Sequence, residues 1–328
     1  MSFVQTYPGH LYFPLFKTNF TIYISELPML SIIICSKNPS VSKELEKNIR
    51  ETTGIDYEII TIDNSRNEYS IFLAYNTGIL KSKYPYLCFV HEDVLFRSEN
   101  WGKMVCRHLS DENTGVIGIA GGDLMTKVPA PWSMAVVARN FIQSGKSKKR
   151  KMISEFAYEF KGSEKQEVVL LDGVFLCMRR NIFVKIMFDD KTFNGFHAYD
   201  CDICIQSKLA GYKNYVVYNI VLEHFSHGTR NREWVINMLQ VFKKWQSFLP
   251  VTLNNYSGEE IQKLEKKNLY LFIKRMIHTG FTQNEILVST TEFWKEVFPE
   301  RPVSDLESHL RIMRILKFFK ILGLKTHF

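Results

Sequence analysis

Along this chain, short apolar runs end abruptly in polar residues, and between them apolar positions recur at helical spacing. Leu30 to Cys35 is apolar and rich in β-branched residues, and it gives way to Ser36-Lys37-Asn38-Pro39. Val41, Leu45 and Ile49 follow four apart, as on one helix face. Tyr57 to Ile62 predicts a second strand, ending at Asp63-Asn64-Ser65. Ile71 to Lys81 predicts a helix, and Tyr86 to Val90 a third strand, ending at His91-Glu92-Asp93. Strands apolar at nearly every position are covered on both faces, so this alternation predicts βαβ units and a parallel sheet. Right-handed crossovers would bring the strand ends to one edge, where Ser36, Asp63 and Asp93 should converge on one crevice.

Further strands are expected over Val116 to Ala120 and Val168 to Met178. The glycine-rich stretch Gly115 to Gly122 would let backbones approach closely. Residues 125–166 contain Pro129, Pro131 and a basic run, and they predict a long loop or hairpin. Asp200 to Ala210 predicts a helix stopped by Gly211, and Tyr215 to Tyr218 a last strand, leading to Glu223-His224-Phe225-Ser226-His227-Gly228. From about residue 232 the pattern is helical and rich in Lys. The expected division is an N-terminal extension over 1–28, a catalytic domain over 29–231 and a C-terminal helical region over 232–328.

Composition adds bounds. The chain has 328 residues, 45% of them hydrophobic and 23% charged, as in ordinary soluble domains. Its net charge of +8 favours acidic partners such as nucleotide phosphates or anionic headgroups. Part of that excess sits at Lys146, Lys148, Lys149, Arg150 and Lys151, read as a solvated basic loop. No aromatic interleaving or nucleic-acid motif accompanies it, so no nucleic-acid partner is expected. Cys35, Cys88 and Cys177 lie in apolar runs and read as small buried hydrophobes of a reducing compartment. Cys201 and Cys204 form a lone C-x-x-C, a weak zinc signal without a second pair. The start lacks the features of a signal peptide, and no run reaches the length of a spanning helix, so a cytoplasmic location is expected. Ser304 and Glu307 could form a capping box ahead of Arg311, Arg314, Lys317 and Lys320. This basic amphipathic helix would either touch the inner face of an anionic membrane or pack its apolar side internally.

The sharpest chemical signal is the end of the third predicted strand. Carboxylates at a buried strand's carboxyl end suit a hard divalent cation bound through oxygen, of the kind that also holds phosphates. That points to a nucleotide-diphosphate substrate. Each candidate also has a plainer reading. Asp63 could be a turn residue, Asp93 a cap, and Asp200 an acid complementing a helix dipole. Asp202 lies about 200° round the helix from Asp200, so the two cannot face one point. Trp132 and Trp234 could stack on a sugar ring, but core positions suit tryptophan better.

Several segments, in order, resemble family 2 glycosyltransferases. Ser31-Ile32-Ile33-Ile34-Cys35-Ser36-Lys37-Asn38 resembles their opening strand, Asp63-Asn64-Ser65 the acid after the second, and Ala74-Tyr75-Asn76-Thr77-Gly78-Ile79 their N-x-G-I helix. His91-Glu92-Asp93-Val94 occupies the D-x-D slot, with His91 in place of its first acid. Leu171-Asp172-Gly173-Val174-Phe175 and Arg179-Arg180 resemble the acceptor-side strand, and Tyr199-Asp200 stands where the family has Glu-Asp. His224 resembles a late metal-ligand histidine. Within the family the likeness is to the streptomycin-biosynthesis-like branch.

This resemblance implies a GT-A fold: a mostly parallel α/β sheet with helices on both faces, followed here by a C-terminal helical extension. It implies inverting transfer from a nucleotide-sugar donor, UDP-linked for preference, to a glycan or lipid-linked acceptor. The roles it implies are Asp200 as general base; Ser36, Asn38, Asp63, Asn76 and Glu92 for the nucleotide; Asp172, Gly173, Tyr199 and Asp202 on the acceptor side; and Asp93, His91 and His224 for Mn²⁺ or Mg²⁺. His227 and His197 compete as ligands. Two rivals are a non-catalytic sugar-nucleotide-binding protein, through loss of the acid at His91, and a nucleotidyl or sugar-phosphate transferase on a similar sheet. The absence of a glycine-rich phosphate loop weighs against a P-loop enzyme.

Overall fold

The first strand is mostly apolar because both its faces are covered. In β1 (Met29–Ser36), Leu30, Ile32 and Ile34 pack toward one layer of helices and Ile33 toward the other, as strand alternation requires. β2 (Asp56–Asp63) and β3 (Tyr86–Val90) flank it in parallel, with Ser36 opposite Asp63 and Ile33 opposite Phe89. The crossovers are α1 (Lys43–Thr52) and α2 (Ile71–Lys81), each started by a serine, Ser42 or Ser70, whose hydroxyl accepts a backbone N–H of the first turn. The expected βαβαβ unit is therefore present, and its strand ends share one edge.

These features come from a computed structural model, which describes residues 29–147, 150–157, 163–226 and 228–321, with side chains described outside 145–162 and 314–321. The expected extension over 1–28, His227, the side chains of the basic run from Lys146, and those of Arg314, Lys317 and Lys320 lie outside the described residues.

After β4 (Val94–Phe96) and α3 (Trp101–Leu109) come β5 (Thr114–Gly118), β6 (Ala120–Gly122), β7 (Leu124–Met125), β8 (Val137–Ser147) and β9 (Arg150–Ala157). They are followed by β10 (Lys165–Val168), β11 (Leu170–Leu171), β12 (Phe175–Arg179), α4 (Tyr199–Leu209), β13 (Lys213–Val217) and β14 (Leu222–His224). The main sheet has seven strands in the order β10-β13-β5-β12-β3-β1-β2. Its parallel pairs are β1 with β2, β1 with β3, and β5 with β13; β12 and β10 run against their neighbours. A second sheet, β11-β6-β8-β14-β4, carries β9 on β8.

Two expectations are corrected. Val168 to Met178 is not one strand: Val168 ends β10 of the main sheet, Leu170–Leu171 is β11 of the second, and the chain turns again at Asp172, whose side chain accepts the Val174 N–H at 3.0 Å, before β12. Val116 to Ala120 is likewise divided at Ile119 between β5 and β6. Of the two forms expected over 125–166 the hairpin is present: Lys146 pairs with Lys151 and Ser147 with Arg150 between β8 and β9, while Lys148 and Lys149 lie outside the described residues. Close approach at the glycines is borne out, because a Cβ on Gly121 would stand 2.3 Å from the Leu170 carbonyl oxygen.

α1 and α3 cover one face of the main sheet; α2 and α4 cover the other. The helices that follow, α5 (Arg232–Trp245), α6 (Gly258–His278), α7 (Gln283–Val297) and α8 (Val303–Ile321), join the core of that second face, which runs without a break from Ile33 to Leu310. α8 begins at Val303, one residue ahead of the expected cap at Ser304. β15 (Val251–Thr252) returns to pair with β7. Among the described residues no helix is long and apolar enough to cross a membrane.

Candidate active site

Three side chains meet where β3 ends and the second sheet begins. The chain leaves β3 with the His91 N–H donating to the Val174 carbonyl at 3.1 Å, then reverses into β4. β4 pairs antiparallel with β14, setting Val94 opposite His224, and the Phe225 N–H donates to the Asp93 carbonyl at 3.0 Å. Asp93 and His224 are thereby brought side by side, though far apart in sequence. His224 Nε2 lies 3.3 Å from Asp93 Oδ1, and His91 Nδ1 lies 3.9 Å from the same oxygen. One ligand atom from each of the three falls within 4.8 Å of the others. Burial works against ionisation of Asp93, but hydrogen bonds from His224 and Ser226 and the neighbouring imidazoles outweigh it and hold the carboxyl below its ordinary value. Burial, together with His224, pushes His91 below its ordinary value, so a ring nitrogen keeps its lone pair at neutral pH. Two imidazoles and a carboxylate are a donor set for a first-row divalent cation.

The His91 ring is fixed from behind. Its Nε2 lies 2.8 Å from the Tyr199 hydroxyl, and that hydroxyl lies 2.9 Å from the Gly173 carbonyl oxygen. A carbonyl can only accept, so the single phenolic proton goes to Gly173. Tyr199 must then accept from His91, which places the imidazole proton on Nε2 and the free lone pair on Nδ1, the nitrogen facing Asp93. Gly173 has no room for a side chain, because a Cβ there would stand 2.2 Å from the Tyr199 hydroxyl.

Asp200 lies beside this group at the start of α4. Ala198, just before the helix, has φ of 67°, a left-handed backbone that a non-glycine residue adopts only under constraint. The Gly173 N–H donates to Asp200 Oδ2 at 3.2 Å and the Cys201 N–H to Oδ1 at 2.9 Å. Burial and the neighbouring Asp172 still raise the Asp200 carboxyl to about 7. Asp172 accepts from Trp132 Nε1 at 2.9 Å, a pairing across 40 residues with no local signal. A crevice of about 250 Å³ is lined by His91, Asp172, Tyr199, Asp200, His224 and Trp234 among others. Sequence reasoning missed Arg230, which also lines it; a lone arginine after a Gly-Thr pair carries no pattern.

The other expected site residues lie elsewhere. Ser36 donates to Glu92 Oε2 at 2.6 Å, and the Lys37 N–H donates to both Glu92 oxygens at 3.2 Å. The Asn38 N–H donates to Ser36 Oγ at 3.0 Å, so Glu92 ties the ends of β1 and β3 together. Asp63 is exposed and accepts from the Ser65 N–H at 2.9 Å, a bond that lowers its pKa and forms the turn of its plainer reading. Asn76 donates from Nδ2 to the Phe188 carbonyl at 2.7 Å and to Asp190 at 3.2 Å. Asp202 faces away from Asp200, as helix geometry requires, and has no exposed surface. It accepts from Lys244 Nζ at 2.7 Å, Trp245 Nε1 at 2.9 Å and Gln206 Nε2 at 2.6 Å, which makes it an anchor between α4 and α5.

The chain belongs to the glycosyltransferase-like family, whose model matches residues 31–252. This is an enzyme family of transferases, and the central α/β sheet is accordingly of the GT-A type. No curated protein matches the chain. Two solved structures are similar in part. One is GalNAc-T7 with UDP, GalNAc and Mn²⁺, at 11% identity and a TM-score of 0.45, covering 86% of this chain and 59% of that one. The other is A197 from STIV, at 15% identity and a TM-score of 0.34, covering 70% of this chain and 96% of that one.

Proposed function

We propose that the protein is an inverting, metal-dependent glycosyltransferase that moves a sugar from a nucleotide-diphosphate donor to a hydroxyl of a glycan or glycoconjugate. UDP is the proposed carrier, and the order of motifs favours the streptomycin-biosynthesis-like branch of the family. The observation that carries this reading is the buried Asp200 carboxyl, raised to about 7, in a crevice lined also by His91 and His224 of the His-Asp-His cluster. A general base works best with a pKa near the working pH.

Asp200 takes the proton of the acceptor hydroxyl as the hydroxyl oxygen bonds to the anomeric carbon. The bond from that carbon to the diphosphate breaks on the opposite face, so the configuration inverts. Backbone N–H groups of Gly173 and Cys201 hold Asp200 in place. His91, Asp93 and His224 would hold the divalent cation, which when bound neutralises charge on the leaving diphosphate. Two nitrogen donors suit Mn²⁺ better than Mg²⁺. On the nucleotide side, Ser36, Asn38 and Glu92 shape the β1–β3 edge, Asp63 stands exposed at the end of β2, and Asn76 fixes α2 to the segment at Phe188. The division near residue 231 is proposed as functional, with the core continuous across it.

The test is Asp93→Ala in the full chain, with Mn²⁺ held constant. Transfer to acceptor and metal-stimulated hydrolysis of a UDP-sugar should both fall by several orders of magnitude, with an unchanged circular dichroism spectrum. Full activity in this variant would remove the cluster from the mechanism.

A further inference from the structure

A second cavity of about 290 Å³ adjoins the catalytic crevice and shares Pro131, Arg230 and Trp234 with it. Its other wall is the last turns of α6, with Lys274, Arg275 and His278, and its floor includes Asn268. No Asp or Glu lines it. Among the described residues none of Arg230, Lys274 and Arg275 forms an ion pair. Cations at a helix C-terminus suit the helix dipole, and that would account for Lys274 and Arg275 alone. It does not account for Arg230, which arrives from the loop after β14 to face them. Burial and Arg275 both weaken the charged form of Arg230, while Asp172 of the catalytic crevice favours it, so Arg230 senses both cavities. Nor does the dipole account for Asn268, which is 2% exposed and whose Oδ1 has no hydrogen-bond partner. A buried, unpartnered amide oxygen in a cavity floor is a place for a ligand hydroxyl. Trp234 stands between the two cavities, with the Arg230 guanidinium 5.7 Å from its ring centre, and its half-buried face suits a sugar ring.

We propose that this cavity is an acceptor subsite for a negatively charged glycan. Arg230, Lys274 and Arg275 hold its phosphate or carboxylate, Asn268 a hydroxyl and Trp234 a ring, while the reacting hydroxyl lies at Asp200. The proposal rests on the glycosyl-transfer reading. Cations lining one cavity whose wall holds no Asp or Glu favour an anion there.

The experiment measures binding of four probes to the full chain at low salt by calorimetry: methyl glucoside, methyl glucoside 6-phosphate, methyl glucuronide and inorganic pyrophosphate. UDP with Mn²⁺ is titrated separately. The anionic glycosides should bind at least about tenfold more tightly than the neutral one, and the phosphate and uronate arms identify which anion the cavity takes. In Lys274→Gln/Arg275→Gln that preference should vanish, while affinity for UDP with Mn²⁺ stays within twofold. Equal binding of charged and neutral glycosides by the wild type overturns the proposal, as does a preference that survives in the double variant. Wild-type protein that binds no UDP with Mn²⁺ overturns the transfer reading instead, because the glycoside arms do not depend on the donor.

Discussion

Replacing the Tyr199 hydroxyl tests the assignment of the His91 proton. Tyr199→Phe keeps the ring, which packs edge-on against Tyr75 and Phe72, and removes only the oxygen between His91 Nε2 and Gly173. The Gly173 carbonyl then loses its buried partner, at a cost of about 1–3 kcal/mol in stability. His91 loses the acceptor that fixes its tautomer, so the ring can turn or carry its proton on Nδ1, the nitrogen facing Asp93. Losing such an orienting partner lowers metal affinity about 10- to 100-fold, or roughly 1.4–2.7 kcal/mol. Mn²⁺ affinity is read by electron paramagnetic resonance of the free ion, and stability by denaturant unfolding without metal. Asp200→Asn is the control that should leave Mn²⁺ affinity unchanged. If Tyr199→Phe binds Mn²⁺ within twofold of wild type while losing stability, the hydroxyl only fills the core and the tautomer assignment is refuted.

The raised Asp200 carboxyl makes a signed prediction: a group easier to protonate in the folded state supports folding below its unfolded value and loses that support as pH rises through about 7. Asp200→Asn should therefore be more stable than wild type at pH 8, by at most about 4 kcal/mol, with the gap closing toward pH 4 in metal-free denaturant titrations, while turnover falls and donor affinity holds. Asp202→Ala should lower stability by about 1–3 kcal/mol, because it leaves Trp245 Nε1 without its buried acceptor and Lys244 with Asp189 alone; a small loss of stability with a large loss of acceptor binding would return Asp202 to the acceptor side.

The first half of the main sheet was legible because β1 and β3 bury both faces and so read as unbroken apolar runs, with polar ends marking the edge. The same logic failed at Val168 to Met178, which is as apolar as one strand would be but is divided by a change of sheet after Val168 and by the side-chain turn at Asp172. Short strands such as β4 and β14 are below the length at which alternation can be counted, yet their pairing is what sets His224 beside Asp93. The cluster itself was nameable from motif order. Its internal wiring was not. His91 and Tyr199 stand out in sequence as two unrelated departures from the family pattern, 108 positions apart, and in space they share a hydrogen bond. The internal contacts of the nucleotide-side residues were not legible for a similar reason: a polar residue at a strand end reads alike whether it meets a ligand or, like Glu92, the neighbouring strand.

The two-sided start of α4 bears on how this enzyme can diversify. One turn of helix carries Asp200 toward the crevice and Asp202 into the clasp with α5, so that turn is pinned, and random change there is removed by selection on folding before it can explore new chemistry. The α6 wall holds no part of that clasp. Substitutions at Lys274 or Arg275 can accumulate without moving the base, and a lineage descended from this protein would be expected to drift in what it glycosylates long before it drifts in how.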